Sequence, residues 1–143
     1  MGNSTYNAVV SYGGNGFFVG VPPSGHAVTM DANFERKAAP TPLELLLVSV
    51  AACTAYDVQS IMEKKRQDVT AYEVRIEGER REEMPKAFIK FHIKHVVRGR
   101  NISEKGLADA IRLSEEKYCS VGGTVKPTAE ITTSYEIIEE PAD

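Results

Sequence analysis

Tryptophan is missing, cysteine occurs only twice, and neither sign of charge dominates the chain. Each shortage excludes something. With 17 Lys and Arg against 20 Asp and Glu, the net charge is only -3, so no basic face is advertised. Nucleic acid and anionic membrane are therefore not expected partners. The longest uncharged apolar run, Leu45 to Tyr56, has about 12 residues, short of the ~20 that cross a bilayer. The start, Met1-Gly-Asn-Ser-Thr-Tyr6, has neither the basic segment nor the apolar core of a signal peptide. No Cys-x-x-Cys spacing occurs, which argues against a zinc site or a thioredoxin-type motif. His92 and His95 stand three apart in a strand pattern, so they point to opposite faces and cannot share a metal, and His26 is alone. There is no phosphate loop, dinucleotide fingerprint or nucleophile elbow. No cofactor and no metal are expected. Two cysteines without an export signal indicate a cytoplasmic protein, where a disulfide is transient and catalytic rather than structural.

What is present describes one α+β domain, residues 1–143. The composition, 42% apolar and 26% charged, supports a real core and excludes wholesale disorder. Tyr6 to Tyr12, Phe17 to Val21 and His26 to Ala32 read as short strands. The tight-turn signal Gly13-Gly14-Asn15-Gly16 separates the first two, and Pro22-Pro23-Ser24-Gly25 the next, giving an antiparallel meander. A long helix then starts at Thr41 and runs to about Lys65. Thr41, Pro42 and Glu44 form a capping box with proline at the first helical position. The first half of this helix is apolar all round, so it is expected to be surrounded by protein. Two alternating strands follow, Val69 to Glu79 and Ala87 to Val97. In the second, Ile89, Phe91, Ile93 and Val97 share a face opposite Lys90, His92 and Lys94. Ser103 caps a second helix expected to end near Tyr118, with Leu107, Ala110, Ile111, Ser114 and Tyr118 inward. Thr128 to Ile138 is a last strand. The expected sheets are antiparallel, with each helix covering a sheet face.

The two cysteines are the candidate chemistry. Cys53 sits inside the apolar helix, and Cys119 lies in Lys117-Tyr-Cys-Ser-Val-Gly-Gly123, where the second helix is expected to end. One thiol to attack and one to resolve suit two-step redox chemistry. Two ordinary buried thiols remain the plainer alternative. An apolar surround disfavours a thiolate, so a reactive Cys53 needs a cation or donor from elsewhere in the fold or from another subunit. Glu44 lies nine residues before Cys53 on the same helix. At about 100° and 1.5 Å per residue the two leave opposite sides, ~13–14 Å apart along the axis. Glu44 therefore serves Cys53 only across a subunit interface or through a bridging arginine, unless it simply caps the helix. A helix C-terminus disfavours a thiolate, which suits Cys119 to the resolving role, with Gly122-Gly123 as a mobile loop beyond it.

The segment Pro42-Leu-Glu-Leu-Leu-Leu-Val-Ser-Val-Ala-Ala-Cys-Thr-Ala-Tyr-Asp-Val58 resembles the first-cysteine helix of the OsmC/Ohr family, the osmotically inducible and organic hydroperoxide resistance proteins. Ala110-Ile-Arg-Leu-Ser-Glu-Glu-Lys-Tyr-Cys-Ser-Val121 resembles that family's second-cysteine segment, and element order and length match as well. The resemblance implies an OsmC-like fold, in which an intertwined homodimer holds the long helix at its centre and two sites at its interface. It also implies a hydroperoxide reductase: Cys53 becomes a sulfenic acid, Cys119 condenses with it, and a cellular dithiol reduces the disulfide. Two positions depart from the studied peroxidases. Those carry arginine in the turn after the first strand, where this chain has Gly13-Gly14-Asn15-Gly16, so Arg36 is the candidate substitute. They also place glutamate directly after the helix-starting proline, where this chain has Leu43 and then Glu44. The pattern matches a less characterised branch. The alternative is a non-catalytic dimer of the same shape that binds a small apolar ligand or senses redox state.

Overall fold

The computed structural model describes residues 2–141. The ends Met1, Ala142 and Asp143 lie outside the described residues, and with them the first position of the signal-peptide reading. Contacts divide the chain into two units, Met1–Leu46 and Leu47–Asp143.

In the first unit, β1 (Val9–Gly14), β2 (Phe17–Val21) and β3 (Val28–Asp31) form the expected antiparallel meander in the order β1-β2-β3. The turn between β1 and β2 places Gly14, Asn15 and Gly16 at φ 90, 54 and 85°, which explains its glycine-rich sequence. Asp31, at the end of β3, is only 1% exposed. It accepts from the backbone N–H of Asn33 and of Ala38 at 2.8 and 3.0 Å and from the Arg36 guanidinium.

Helix α1 (Pro42–Lys64) starts where the capping box says it should. Glu44 Oε1 accepts from Thr41 N–H at 2.9 Å, and Thr41 Oγ1 accepts from Glu44 N–H at 3.2 Å. By length and composition alone α1 is apolar enough to cross a membrane, although it lacks an equally long uncharged run. Its inward residues explain the apolarity otherwise. Val58 and Met62 pack with Val97, Leu107, Ala110 and Ile111, and Val50 packs with Phe91, Ile93 and Ala129. The opposite side is bare, with Val48 62% and Tyr56 79% exposed. Within one chain, then, the apolar half of α1 is covered on one side only.

In the second unit, β4 (Asp68–Arg80) and β5 (Phe88–Arg100) pair antiparallel as expected. The last strand, β6 (Glu130–Glu139), runs parallel to β5, so this sheet is mixed rather than antiparallel. Helix α2 (Glu104–Leu113), capped by Ser103, belongs to the crossover that a parallel pairing requires. The alternation of β5 holds from Phe91 onward, with Phe91, Ile93, His95 and Val97 buried on one side, but Ile89, expected on the same face, is 43% exposed where the pairing with β4 slips register. His92 bonds Thr132 and Ser134 on the other side, so the two histidines do part. Burial pushes the His95 imidazole down to about 4, and its Nδ1 lies 2.7 Å from the Tyr72 hydroxyl.

Candidate active site

Cys53 is in the middle of α1. Cys119 follows a π-helical turn (Ser114–Tyr118) that continues α2. Both are free and half-buried, and the fold brings them near enough for Cys53 to help hold the Cys119 thiol in its neutral form. The π turn produces this meeting. Its wider loop closes with the Cys119 N–H on the Ser114 carbonyl at 2.8 Å, which redirects the chain after α2.

Cys119 does not lie before a loose glycine loop, as expected. It is the N-cap of a short helix, α3 (Ser120–Val125), and its Sγ accepts from Gly122 N–H at 3.2 Å. Gly122 is buried within α3, where a Cβ would sit 3.1 Å from that sulfur. This glycine makes room for the thiol. The dipole argument for a resolving thiol is therefore replaced by a different one. Burial pushes the Cys119 thiol up to about 11, helped by the neighbouring Cys53 and by the Asp57 charge and opposed by the Gly122 N–H. Cys119 is thus protonated near neutral pH. In the reduced protein, alkylation of Cys119 followed by peptide mass mapping should accelerate with an inflection near 11. A plateau already reached by pH ~8.5, the free-cysteine value, would contradict this.

Ser114, 0% exposed, lies beside the pair. Its Oγ is 2.8 Å from Asp57 Oδ2 and 3.0 Å from Thr54 Oγ1. With one proton to give, the hydroxyl donates to the carboxylate and accepts from Thr54. Beside Cys119 is a recess walled by Val50, Ile93 and Ile131, with free space of about 10 Å³, room for a single water molecule at most. Lys126 also lines it, its Nζ donating to the Glu115 carbonyl. Sequence reading missed Lys126, Asp57 and Ser114 as site residues. Asp57 lies inside the quoted first-cysteine segment, and Ser114 meets it from the C-terminal end of α2.

The other two candidate residues, Arg36 and Glu44, belong to the first unit, and both side chains are engaged there. Arg36 donates through Nε and Nη2 to Asp31 at 2.8 and 2.7 Å and through Nη2 to the Asn15 carbonyl at 2.6 Å, and it stacks 3.9 Å over the Phe17 ring. Its guanidinium holds the Asp31 carboxyl well below the usual carboxylate range. Arg36 thus reaches the Gly13–Gly16 turn, the place where the resemblance expects an arginine. Glu44 is the helix cap, its carboxyl lowered by the Thr41 N–H.

Residues 34–134 match the family model described as OsmC-like protein. The chain is 43% identical to Protein YhfA of Escherichia coli (strain K12) over 121 residues, 85% of this chain and 90% of that protein. A crystal structure of a protein from Aquifex aeolicus VF5 superposes with TM-score 0.85 at 33% identity, over 97% of this chain and 100% of the other. The organic hydroperoxide resistance protein OhrB of Bacillus subtilis superposes with TM-score 0.61 at 13% identity, over 93% and 98%, a likeness of fold alone.

Proposed function

Because this chain belongs to the OsmC-like protein family, we propose that it is a two-cysteine, thiol-dependent hydroperoxide reductase of oxidative stress defence. The OsmC/Ohr family includes peroxide resistance proteins, and its members are soluble and commonly dimeric. The observation that carries the reading is that the fold brings Cys53 of α1 and Cys119, widely separated in the chain, into one neighbourhood where Cys53 acts on the Cys119 thiol. On this reading a sulfenic acid formed on Cys53 is resolved by the neighbouring Cys119 thiol.

In the first step the Cys53 thiolate attacks the terminal oxygen of a hydroperoxide. The O–O bond breaks, sulfur keeps one oxygen as sulfenic acid, and the alkoxide leaves and takes a proton to become an alcohol. The Cys119 sulfur then attacks the sulfenic sulfur, and its proton leaves with the displaced hydroxide as water. A cellular dithiol returns both thiols by exchange. Arg36 and Glu44 are the cation and carboxylate that the resemblance offers to Cys53, Glu44 only from a second subunit or through a bridging arginine. Within the first unit Asp31 and Asn15 hold Arg36, and Thr41 holds Glu44. Lys126 is a second cation, on the Cys119 side. Walls of valine and isoleucine favour organic peroxides over hydrogen peroxide.

The alternative, a binding module without chemistry, would use the same apolar surround of Val50, Ile93 and Ile131 and would leave both thiols unchanged by peroxide. On this reading the protein is a cytoplasmic homodimer, and residues 1–143 are one domain. The family match runs across the division between the two units, and the exposed Val48 and Tyr56 on α1 with Val9, Val10 and Tyr12 on β1 offer apolar surface for a second copy.

Stoichiometric cumene hydroperoxide provides the test. Reduced protein should lose both free thiols for each peroxide consumed and gain an intramolecular disulfide, seen as a peptide linking Cys53 to Cys119. Retention of both thiols after the peroxide is offered would reject the reading.

A further inference from the structure

Three polar side chains beside the thiols take no part in the reaction as written: Thr54, Asp57 and Ser114. Their places in the chain are specific. Thr54 follows Cys53 directly, and Asp57 is one helical turn beyond Cys53. Ser114 is the residue whose carbonyl receives the Cys119 N–H, at 2.8 Å. A path of bonds therefore runs from Cys53 to Thr54, across to the Ser114 hydroxyl, and through the Ser114 carbonyl to Cys119.

We propose that Ser114, anchored by Thr54 and Asp57, is the positioning residue of the thiol pair, fixing the register of the π turn on α1 and thereby the place from which Cys119 meets Cys53. This rests on reading Cys53 and Cys119 as a redox pair. Holding α2 against α1 needs no hydroxyl, because Leu107, Ala110 and Ile111 already pack on Val58 and Met62. Apolar contacts tolerate sliding, whereas a buried hydroxyl between two fixed partners sets distance and angle. The choice of anchor is also informative. The Asp57 charge disfavours a thiolate at Cys119. A contact chosen only for stability gains nothing from a carboxylate beside a thiol, whereas a resolving thiol kept protonated until its partner is oxidised does. Among the described residues, the charged ones that line the recess beside Cys119 are Glu115, from the π turn, and Lys126, from the end of α3.

The test needs no peroxide. Equilibrating the protein with reduced and oxidised dithiothreitol moves two electrons and two protons between protein and reagent, and it yields the equilibrium constant for disulfide closure. Ser114→Ala should lower that constant about tenfold, equivalent to about 30 mV for this couple. Thr54→Val, nearly isosteric but without the hydroxyl, should lower it in the same direction and serves if Ser114→Ala does not fold. Thr54→Ser and Asp57→Asn, which keep an oxygen for Ser114, should stay within about threefold of the wild type. Unchanged constants in folded Ser114→Ala and Thr54→Val, with only a lowered melting temperature, would overturn the proposal and leave an ordinary helix contact. A wild-type protein that forms no disulfide in this equilibrium would overturn the redox pair and the clamp together. A disulfide that equilibrates as predicted in a protein that does not consume peroxide would overturn the peroxidase reading and uphold the clamp.

Discussion

Cys53→Ser is expected to reduce peroxide consumption about a thousandfold or more, the scale on which removing a nucleophile acts in other enzymes. The serine hydroxyl is not ionised near neutral pH, and its oxygen cannot be carried through the sulfenic acid and disulfide that complete the cycle. Cys119→Ser should behave differently. Cys53 is intact in that variant, so the first equivalent of peroxide is consumed and the protein becomes heavier by one oxygen. With no resolving thiol, excess peroxide drives the same sulfur on to the sulfinic acid, which is a dead end. Turnover with a dithiol then depends on direct reduction of the sulfenic acid. Peroxide loss by colorimetric assay and intact mass of each variant distinguish the two cases. A Cys53→Ser protein that consumes peroxide at the wild-type rate would move the chemistry to another residue, and an inert Cys119→Ser would exchange the roles of the two sulfurs.

Local rules made much of this fold legible. The capping box at Thr41 and Glu44 marks the start of α1 because both of its hydrogen bonds close within four residues. The turn at Gly14-Asn15-Gly16 is readable because its positive φ values demand those residue types. Alternation assigned Phe91, Ile93 and Val97 to one face, since the period of a strand is set by its backbone. Direction is another matter. A period of two says which side chains share a face and nothing about which way a strand runs, so the parallel pairing of β6 was not visible. The π turn was hidden for a related reason. The inward pattern Leu107, Ala110, Ile111, Ser114 fits an uninterrupted helix. The widened turn after it depends on Thr54 and Asp57, about sixty residues earlier in the chain. Missing that turn made Gly122-Gly123 look like a loop and left Lys126 without a place. Asp31 was equally unreadable, because an aspartate at a strand end looks solvated until four donors are folded around it.

Phe91→Ala should cost about 3–5 kcal/mol, the range for removing a buried aromatic ring from a core. Phe91 is 1% exposed and packs with Val50, Ile93 and Ala129, its ring 4.8 Å from that of Phe88. Domains of this size are stable by roughly 5–15 kcal/mol, so the loss is a large fraction of the whole. Ile89 is the control. Simple alternation puts it on the Phe91 face, but the pairing of β4 with β5 slips there, Glu79 opposing Lys90 and Arg80 opposing Phe88, so Phe88 packs on the cluster and Ile89 is left 43% exposed. Ile89→Ala should therefore cost about 1 kcal/mol or less. Urea titrations compare the two, with a shifted midpoint and an unchanged slope marking a true stability difference. The contrast bears on the site as well. Val50 and Ile93 wall the recess beside Cys119, so a void at Phe91 removes the support behind them. In Phe91→Ala the disulfide equilibrium should weaken together with stability, whereas in Ile89→Ala it should be unchanged. Equal losses of stability in the two variants would mean that this core does not concentrate behind the thiols.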